Sequence, residues 1–108
     1  VSSATINYFT SCVSCAEGNR RGLGFDKPEP DKSKEGPTCS SVSLSSFGHT
    51  GFTGTYAWCD PENGLLYIFL SNRVYPDAEN KKLSKLNTRT NIHQVFYDAI
   101  NLGEKKTK

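Results

Sequence analysis

The pattern of hydrophobic and polar residues predicts a β-hairpin in the middle of the chain. Bulky residues or glycine alternate with smaller ones from 52 to 59, which is the period of a strand with one buried face. The next segment, DPENG at 60–64, has proline early and glycine last, as turns do. Residues 65–70, LLYIFL, are apolar without interruption, a pattern typical of a central strand covered on both faces. The expected core residues of this hairpin are Tyr56, Trp58 and Phe69.

Apolar residues at helical spacing predict a helix near each end of the chain. Near the N-terminus, serines that can cap a helix precede Ile6 and Phe9, which lie at i and i+3. Near the C-terminus a longer stripe precedes Gly103, which is placed to end the helix. The members of this stripe are Ile92, Val95, Phe96, Ala99 and Ile100. His93, on the same helix, is expected to be half-exposed.

Polar segments connect these elements. RRGLGF (20–25) is a short strand candidate, and the proline- and serine-rich residues 26–46 are expected to form a flexible loop. Residues 72–87 are expected to form a second connecting loop. The order helix, strand, loop, hairpin, helix predicts an α+β fold with an antiparallel sheet. Because two short helices give little cover to a central strand, we expect the chain to be part of a larger sheet protein.

Composition and charge argue against nucleic acid as a partner and against a membrane span in this sequence. The net charge of +2 is too small to indicate nucleic-acid binding, and the basic tracts lack interleaved aromatic residues. No apolar run approaches the roughly 18 residues expected of a membrane span. The chain contains no methionine and no signal peptide, so we expect a processed product or a piece of a longer polypeptide.

A glycine-rich stretch precedes the hairpin and raises a question about its purpose. SFGHTGFTGT (46–55) holds three glycines around His49 and Thr50. Glycine loses the most entropy on ordering and offers no side chain to pack, so such a strand start costs stability. The glycines therefore serve either a tight bend of the chain or the close approach of a ligand to the backbone.

This stretch and its surroundings resemble the C-terminal part of the serine β-lactamase and penicillin-binding-protein superfamily. HTG (49–51) resembles the histidine variant of the K-T-G triad on the strand that lines the active site in that superfamily. RRGLGFDKP (20–28) resembles the short strand before the triad, and LLYIFLSNRVYP (65–76) resembles the strand after the triad. The likeness is to the class C-like branch, which includes esterases and D-amino-acid peptidases, and especially to β-lactamase-like domains of Bacteroidetes.

The resemblance implies a role for each residue of the triad region. His49 and Thr50 would contact a carboxylate or similar polar group of the substrate, and Gly51 would let the substrate lie against the strand edge. Phe52 would donate its backbone N–H to the oxyanion. Histidine is largely neutral at pH 7, whereas lysine carries a fixed charge, so we expect an esterase or peptidase before a true β-lactamase. The resemblance implies neither a cofactor nor a metal, and it implies a periplasmic or cell-envelope location.

The residues that perform the chemistry in that superfamily are absent from this sequence. No serine is followed three residues later by lysine, and neither S-D-N nor Y-x-N occurs. We therefore expect no catalytic residue in this segment, which would be inert alone. Its partners would be the N-terminal remainder of the same polypeptide and a small-molecule or peptidoglycan-like substrate. The alternatives are a non-catalytic binding module of the same fold and a small zinc or disulfide module.

The cysteines leave several possibilities open. Cys12 and Cys15 form a C-x-x-C, whereas Cys39 and Cys59 stand apart, so the second close pair of a common zinc site is missing. A thioredoxin-like role would need a βαβ context, which is not predicted. A disulfide between Cys12 and Cys15 is compatible with export. Four ordinary thiols are the favoured interpretation.

Overall fold

The computed structural model describes residues 1–107 and confirms the predicted α+β fold. Its three strands form one antiparallel sheet in the order β1-β2-β3. The strands are β1 (Phe47–Thr50), β2 (Tyr56–Asp60) and β3 (Leu65–Phe69). The α-helices are α1 (Ser3–Thr10), α2 (Lys82–Lys85) and α3 (Thr88–Thr107), and a 3-10 turn spans Cys15–Glu17. Within residues 1–107, no helix is both long and apolar enough to cross a membrane.

The predicted hairpin is present, but its first strand is shorter than predicted. β2 pairs with β3 around the turn at 60–64, with Trp58 opposite Tyr67. The prediction that this strand begins at Phe52 is wrong, because β2 begins only at Tyr56. The preceding residues form a tight turn in which the Gly54 N–H donates to the Gly51 carbonyl at 3.0 Å. Gly54 has φ +93°, a conformation that a strand excludes and that only glycine adopts without strain.

The core lies on one face of the sheet, under α3. Tyr56 and Trp58 are stacked with ring centroids 5.6 Å apart, and both are buried as predicted. Phe69 is partly buried at the margin of this cluster. From α3, Tyr97 and His93 complete it. The prediction that His93 is half-exposed is wrong: none of its surface is accessible, because it lies one helical turn from Tyr97 on the face turned to the sheet.

The apolar run of β3 is not covered on both faces. β3 lies at the edge of the sheet rather than at its centre, so both features predicted for this strand are wrong within residues 1–107. Leu66 and Ile68 are 63% and 57% exposed, although Phe25 packs on Phe47 at the β1 end of the same face. The stripe predicted to bury α3 is also partly outside the core, since Val95 is 63% exposed.

Three other predictions of local structure are corrected. Residues 20–25 form no strand, and only Asp26 makes an isolated bridge, to Gly48. α3 continues through Gly103 instead of ending there, and the connection at 72–87 contains α2. Cys12 and Cys15 are joined in a disulfide, whereas Cys39 and Cys59 are free. The interpretation of four ordinary thiols is therefore wrong for the C-x-x-C pair.

The polar segment 26–46 is anchored to the core at its C-terminal end. The backbone N–H and the hydroxyl of Ser43 both donate to the Asp60 carboxylate, and the Trp58 indole donates to the Ser46 hydroxyl at 2.9 Å. Val42 is buried in the hydrophobic cluster. These contacts satisfy the polar atoms of β2 that the sheet core would otherwise bury without partners. The flexibility of the segment stays a prediction.

Candidate functional site

β1 pairs with β2 along one edge, and its other, outer edge is hydrogen-bonded at Gly48 but unpaired at Thr50 within the described residues. Asp26 and Gly48 exchange two backbone hydrogen bonds, of 2.7 and 3.1 Å, across this edge. Alternate residues of a strand direct their N–H and C=O to the same edge, so the backbone of Thr50 faces outward as that of Gly48 does. No other strand of the described residues pairs with Thr50 there. An extended ligand therefore has access to the strand at Thr50.

A polar groove of about 350 Å³ lies beside Thr50. Three arginines line it: Arg20, Arg21 and Arg89. Arg20 is paired with the buried carboxylate of Asp26 at 3.0 Å, so its charge is largely compensated. The groove contains more cations than anions, and its lining includes hydroxyl and amide groups from residues 84–90. Such a lining suits a polar or anionic substrate group.

The two polar side chains of the triad lie on opposite faces of β1. Thr50 pairs with Tyr56 and shares its face, which places Thr50 at the groove. His49 pairs with Ala57 on the other face, where its side chain is exposed. The Nδ1 atom of His49 lies 2.8 Å from the Thr50 carbonyl oxygen. The structure thus brings Thr50, and not His49, to this groove, and their roles toward a substrate stay proposals.

The turn at 51–54 presents a free backbone donor next to this edge. The Gly51 N–H donates to the Thr55 carbonyl at 2.8 Å, which closes the turn. A Cβ atom at Gly51 would collide with the Thr55 hydroxyl, which would have to rotate away. Phe52 lies at the tip with a side chain that is 75% exposed. Within residues 1–107, its N–H has no hydrogen-bond acceptor.

Three of the four carbonyl groups of the same turn, those of Gly51, Thr53 and Gly54, accept hydrogen bonds. The Thr53 carbonyl accepts hydrogen bonds from the Arg73 N–H at 2.9 Å and from the Ser71 hydroxyl at 3.1 Å. The Arg89 guanidinium lies 3.4 and 3.3 Å from the carbonyl oxygens of Gly54 and Thr55. The turn is therefore fixed by several hydrogen bonds, whereas the Phe52 N–H, unlike those of Gly51 and Gly54, stays open. Preorganised N–H groups of this kind can stabilise a developing oxyanion.

A known protein family matches most of the chain. A family model described as Beta-lactamase matches residues 15–91. The chain belongs to the beta-lactamase family. The matched region includes all three strands of the sheet, the turn at 51–54 and the first residues of α3. No curated protein and no solved structure matches the chain.

Two buried charged side chains, Asp60 and Lys27, hold the chain next to the sheet of this beta-lactamase-family protein. Burial alone would raise the pKa of Asp60, but hydrogen bonds from Ser43, Tyr97 and Asn63 outweigh it and lower the pKa to about 2. The Tyr97 hydroxyl donates to this carboxylate at 2.6 Å. Next to β1, burial lowers the pKa of Lys27, whose ammonium donates to the Ser45 and Ser46 carbonyls. These contacts fix the backbone of residues 43–46, immediately before β1.

The described residues hold no evident metal site. Within residues 1–107, no three His, Cys, Asp or Glu side chains are grouped so that they could bind a metal ion.

Sequence reasoning missed the arginines that surround the site. Arg89 is the second residue of α3, and Arg73 lies in a segment expected to be a plain connection. Only the three-dimensional return of the chain after β3 brings them to the turn. A usable signal exists for Arg73 alone, because it lies within LLYIFLSNRVYP (65–76), the segment that resembles the strand after the triad.

Proposed function

We propose that the chain is the C-terminal segment of a β-lactamase-like serine hydrolase, of the class C-like branch and the Bacteroidetes type. Residues 1–108 would form one wall of the active site as a single segment. The observation that carries the proposal is the open edge of β1 at Thr50, followed by the free N–H of Phe52. Membership of the beta-lactamase family supports it.

In this proposal the chain binds and polarises the substrate but does not attack it. A serine from the N-terminal remainder of the polypeptide would add to the substrate carbonyl, and the Phe52 N–H would donate to the resulting oxyanion. Collapse of the intermediate would expel the amine or alcohol and leave an acyl-enzyme, which water would hydrolyse. Thr50 would bind a polar group of the substrate, and Gly51 would let the substrate approach the strand. His49 would act from the other face, through its contact with the Thr50 carbonyl.

The substrate class follows from the triad. With histidine in place of lysine, we expect simple esters and D-amino-acid peptides to be better substrates than β-lactams. The N-terminal remainder would cover the exposed face that carries Leu66 and Ile68. The disulfide between Cys12 and Cys15 favours a periplasmic or cell-envelope location, where such bonds persist.

The first experiment determines the natural gene upstream of Val1 and then assays its product. The expected reading frame continues through an S-x-x-K and a Y-x-N or S-D-N motif. The product is then tested on a chromogenic ester, a D-alanyl-D-alanine peptide and a chromogenic cephalosporin. A start codon at Val1, with no hydrolysis of any substrate, would favour the non-catalytic binding module instead.

The role of Phe52 is tested by a matched pair of variants in that product. Phe52→Pro removes the N–H, and the expected loss in kcat is about 10²–10³-fold, as for other oxyanion donors. Phe52→Ala removes the ring but keeps the N–H, so its kcat should fall less than that of Phe52→Pro, by at most about 10-fold to 100-fold. Equal losses in both variants would mean that the ring, and not the N–H, matters.

A further inference from the structure

The backbone after β3 returns to the turn at 51–54 and holds it by more than one contact. The Arg73 N–H and the Ser71 hydroxyl share the Thr53 carbonyl as acceptor. A Cβ atom added to Gly54 would collide with the Ser71 hydroxyl and with Leu83, and it would come within 3.3 Å of the Arg73 Cγ atom. The turn is therefore packed directly against this segment, with no space left between them.

The Arg73 side chain links this segment to the tip of the turn. Its guanidinium carbon lies 5.0 Å from the centre of the Phe52 ring, which is cation–π distance. The same guanidinium donates to the carbonyl groups of Ala78 and Asn80, at 3.1 and 3.3 Å. The 78–80 backbone thus fixes the same guanidinium group that contacts the Phe52 ring. An aromatic side chain that is 75% exposed would otherwise have little to restrict it.

We propose that Arg73 is a positioning residue that holds the turn from two sides, so that the Phe52 N–H keeps one orientation at the open edge of β1. Its backbone N–H fixes the Thr53 carbonyl, and its guanidinium restrains the Phe52 ring. The peptide group between Gly51 and Phe52 lies between the closing hydrogen bond of Gly51 and these restraints. The catalytic consequence of this positioning rests on the proposed function, whereas the restraint itself does not.

The restraint is tested by NMR on the product of the natural gene, labelled with ¹⁵N at phenylalanine. The signal of Phe52 is assigned as the one that Phe52→Ala removes. Arg73→Ala keeps the backbone contact but removes the guanidinium, and the order parameter of the Phe52 amide should fall from about 0.85 to below about 0.6. Arg73→Lys keeps a cation and should preserve much of the order. Lys85→Ala removes an exposed positive charge from α2 and should change nothing.

The catalytic consequence is tested with the same variants and the best substrate found. In Arg73→Ala, kcat should fall about 10-fold to 100-fold while KM changes less than about twofold, because a misplaced oxyanion donor weakens only the transition state. Arg73→Lys should recover a substantial part of kcat. The melting temperature is measured alongside, and it should change little.

The outcomes separate this inference from the proposed function. An unchanged Phe52 order parameter in Arg73→Ala overturns the inference, whatever the kinetics show. A loss of kcat that accompanies a lowered melting temperature, with no recovery in Arg73→Lys, also overturns it in favour of a general structural role. A wild-type protein that hydrolyses none of the substrates overturns the proposed function, and the order parameter still decides whether Arg73 holds the turn.

Discussion

Acidification should destabilise the fold through His93, whose ring is fully buried beneath the sheet. Its Nδ1 atom lies 3.3 Å from the Tyr56 hydroxyl, and the ring stacks on Tyr67 with centroids 4.5 Å apart. Within residues 1–107, its Nε2 atom has no hydrogen-bond partner. A proton added there would place a positive charge in an aromatic environment with no acceptor to bind it.

The size of the effect follows from the pKa. Burial lowers the pKa of His93 to about 4 from 6.5, although the negative charge of Asp60 opposes the shift in part. Between these two values the unfolded chain binds a proton that the folded chain excludes. Stability is therefore complete above about pH 6.5, falls as the pH is lowered and levels off below about pH 4. A difference of about 2.5 pH units corresponds to about 3 kcal/mol.

The measurement compares urea unfolding of the wild type and of His93→Gln at pH 7, 5.5 and 4.5, followed by circular dichroism. The variant is less stable at pH 7, but it has no buried imidazole to protonate, so its stability should depend less on pH by about 2–3 kcal/mol over this range. Asp60, whose pKa is lowered to about 2 from 3.8, loses its contribution only below about pH 4. His49→Gln changes an exposed histidine and is the matched control.

Parallel pH profiles for the wild type and His93→Gln would refute this reasoning. They would mean that the buried ring is protonated as easily as in the unfolded chain, which requires a water molecule or another acceptor at Nε2. If His49→Gln, and not His93→Gln, showed the weaker dependence of stability on pH, the effect would belong to the exposed histidine.

Two further predictions concern the turn and the open face. Gly54→Ala should destabilise the protein by about 2–4 kcal/mol, because φ is +93° and the new methyl group meets Ser71 and Leu83. The control is Gly64→Ala, at φ +61° with open space around it, which should cost about 1 kcal/mol. Both costs are measured by thermal unfolding. Equal costs for the two variants would contradict the packing argument. The isolated chain should self-associate through its exposed apolar face, so Ile68→Glu should shift it toward monomer in light scattering, whereas Asn72→Glu should not. A dilute wild-type monomer that melts cooperatively and binds little hydrophobic dye would contradict this.

Elements set by local rules were predicted well from sequence. α1 begins where a capping serine was expected, and the Ser2 hydroxyl accepts from the Thr5 N–H at 3.2 Å. The hairpin of β2 and β3 followed from alternation and from a turn with proline and glycine. The glycine-rich stretch was assigned to a bend or to ligand access, and the structure shows the bend at 51–54. Alternation alone extended the strand back to Phe52, because side-chain period does not show where the backbone must reverse.

Elements set by tertiary contacts were not predicted. The apolar stripe of α3 was expected to face the sheet, but the buried positions include His93 and Tyr97, which carry polar atoms. Their burial depends on partners from elsewhere in the chain, such as the Asp60 carboxylate for the Tyr97 hydroxyl. Hydrophobicity ranks such residues as surface residues, and only the partner makes them suitable for the core. The arginines at the turn were missed for the same reason.

The residues that were wrongly placed in the core support the proposal of a larger protein. Leu66 and Ile68 on β3 and Val95 on α3 are each more than half exposed, and they lie on two different layers of the fold. Scattered apolar residues on a surface need no explanation, but an exposed apolar strand face and a regularly spaced helix stripe do. Each pattern is typical of an element covered by a neighbour, and residues 1–107 leave these three side chains mostly uncovered. An N-terminal remainder that packs on this face of the sheet and against α3 would bury both, and it would also bring the missing nucleophile to the open edge of β1.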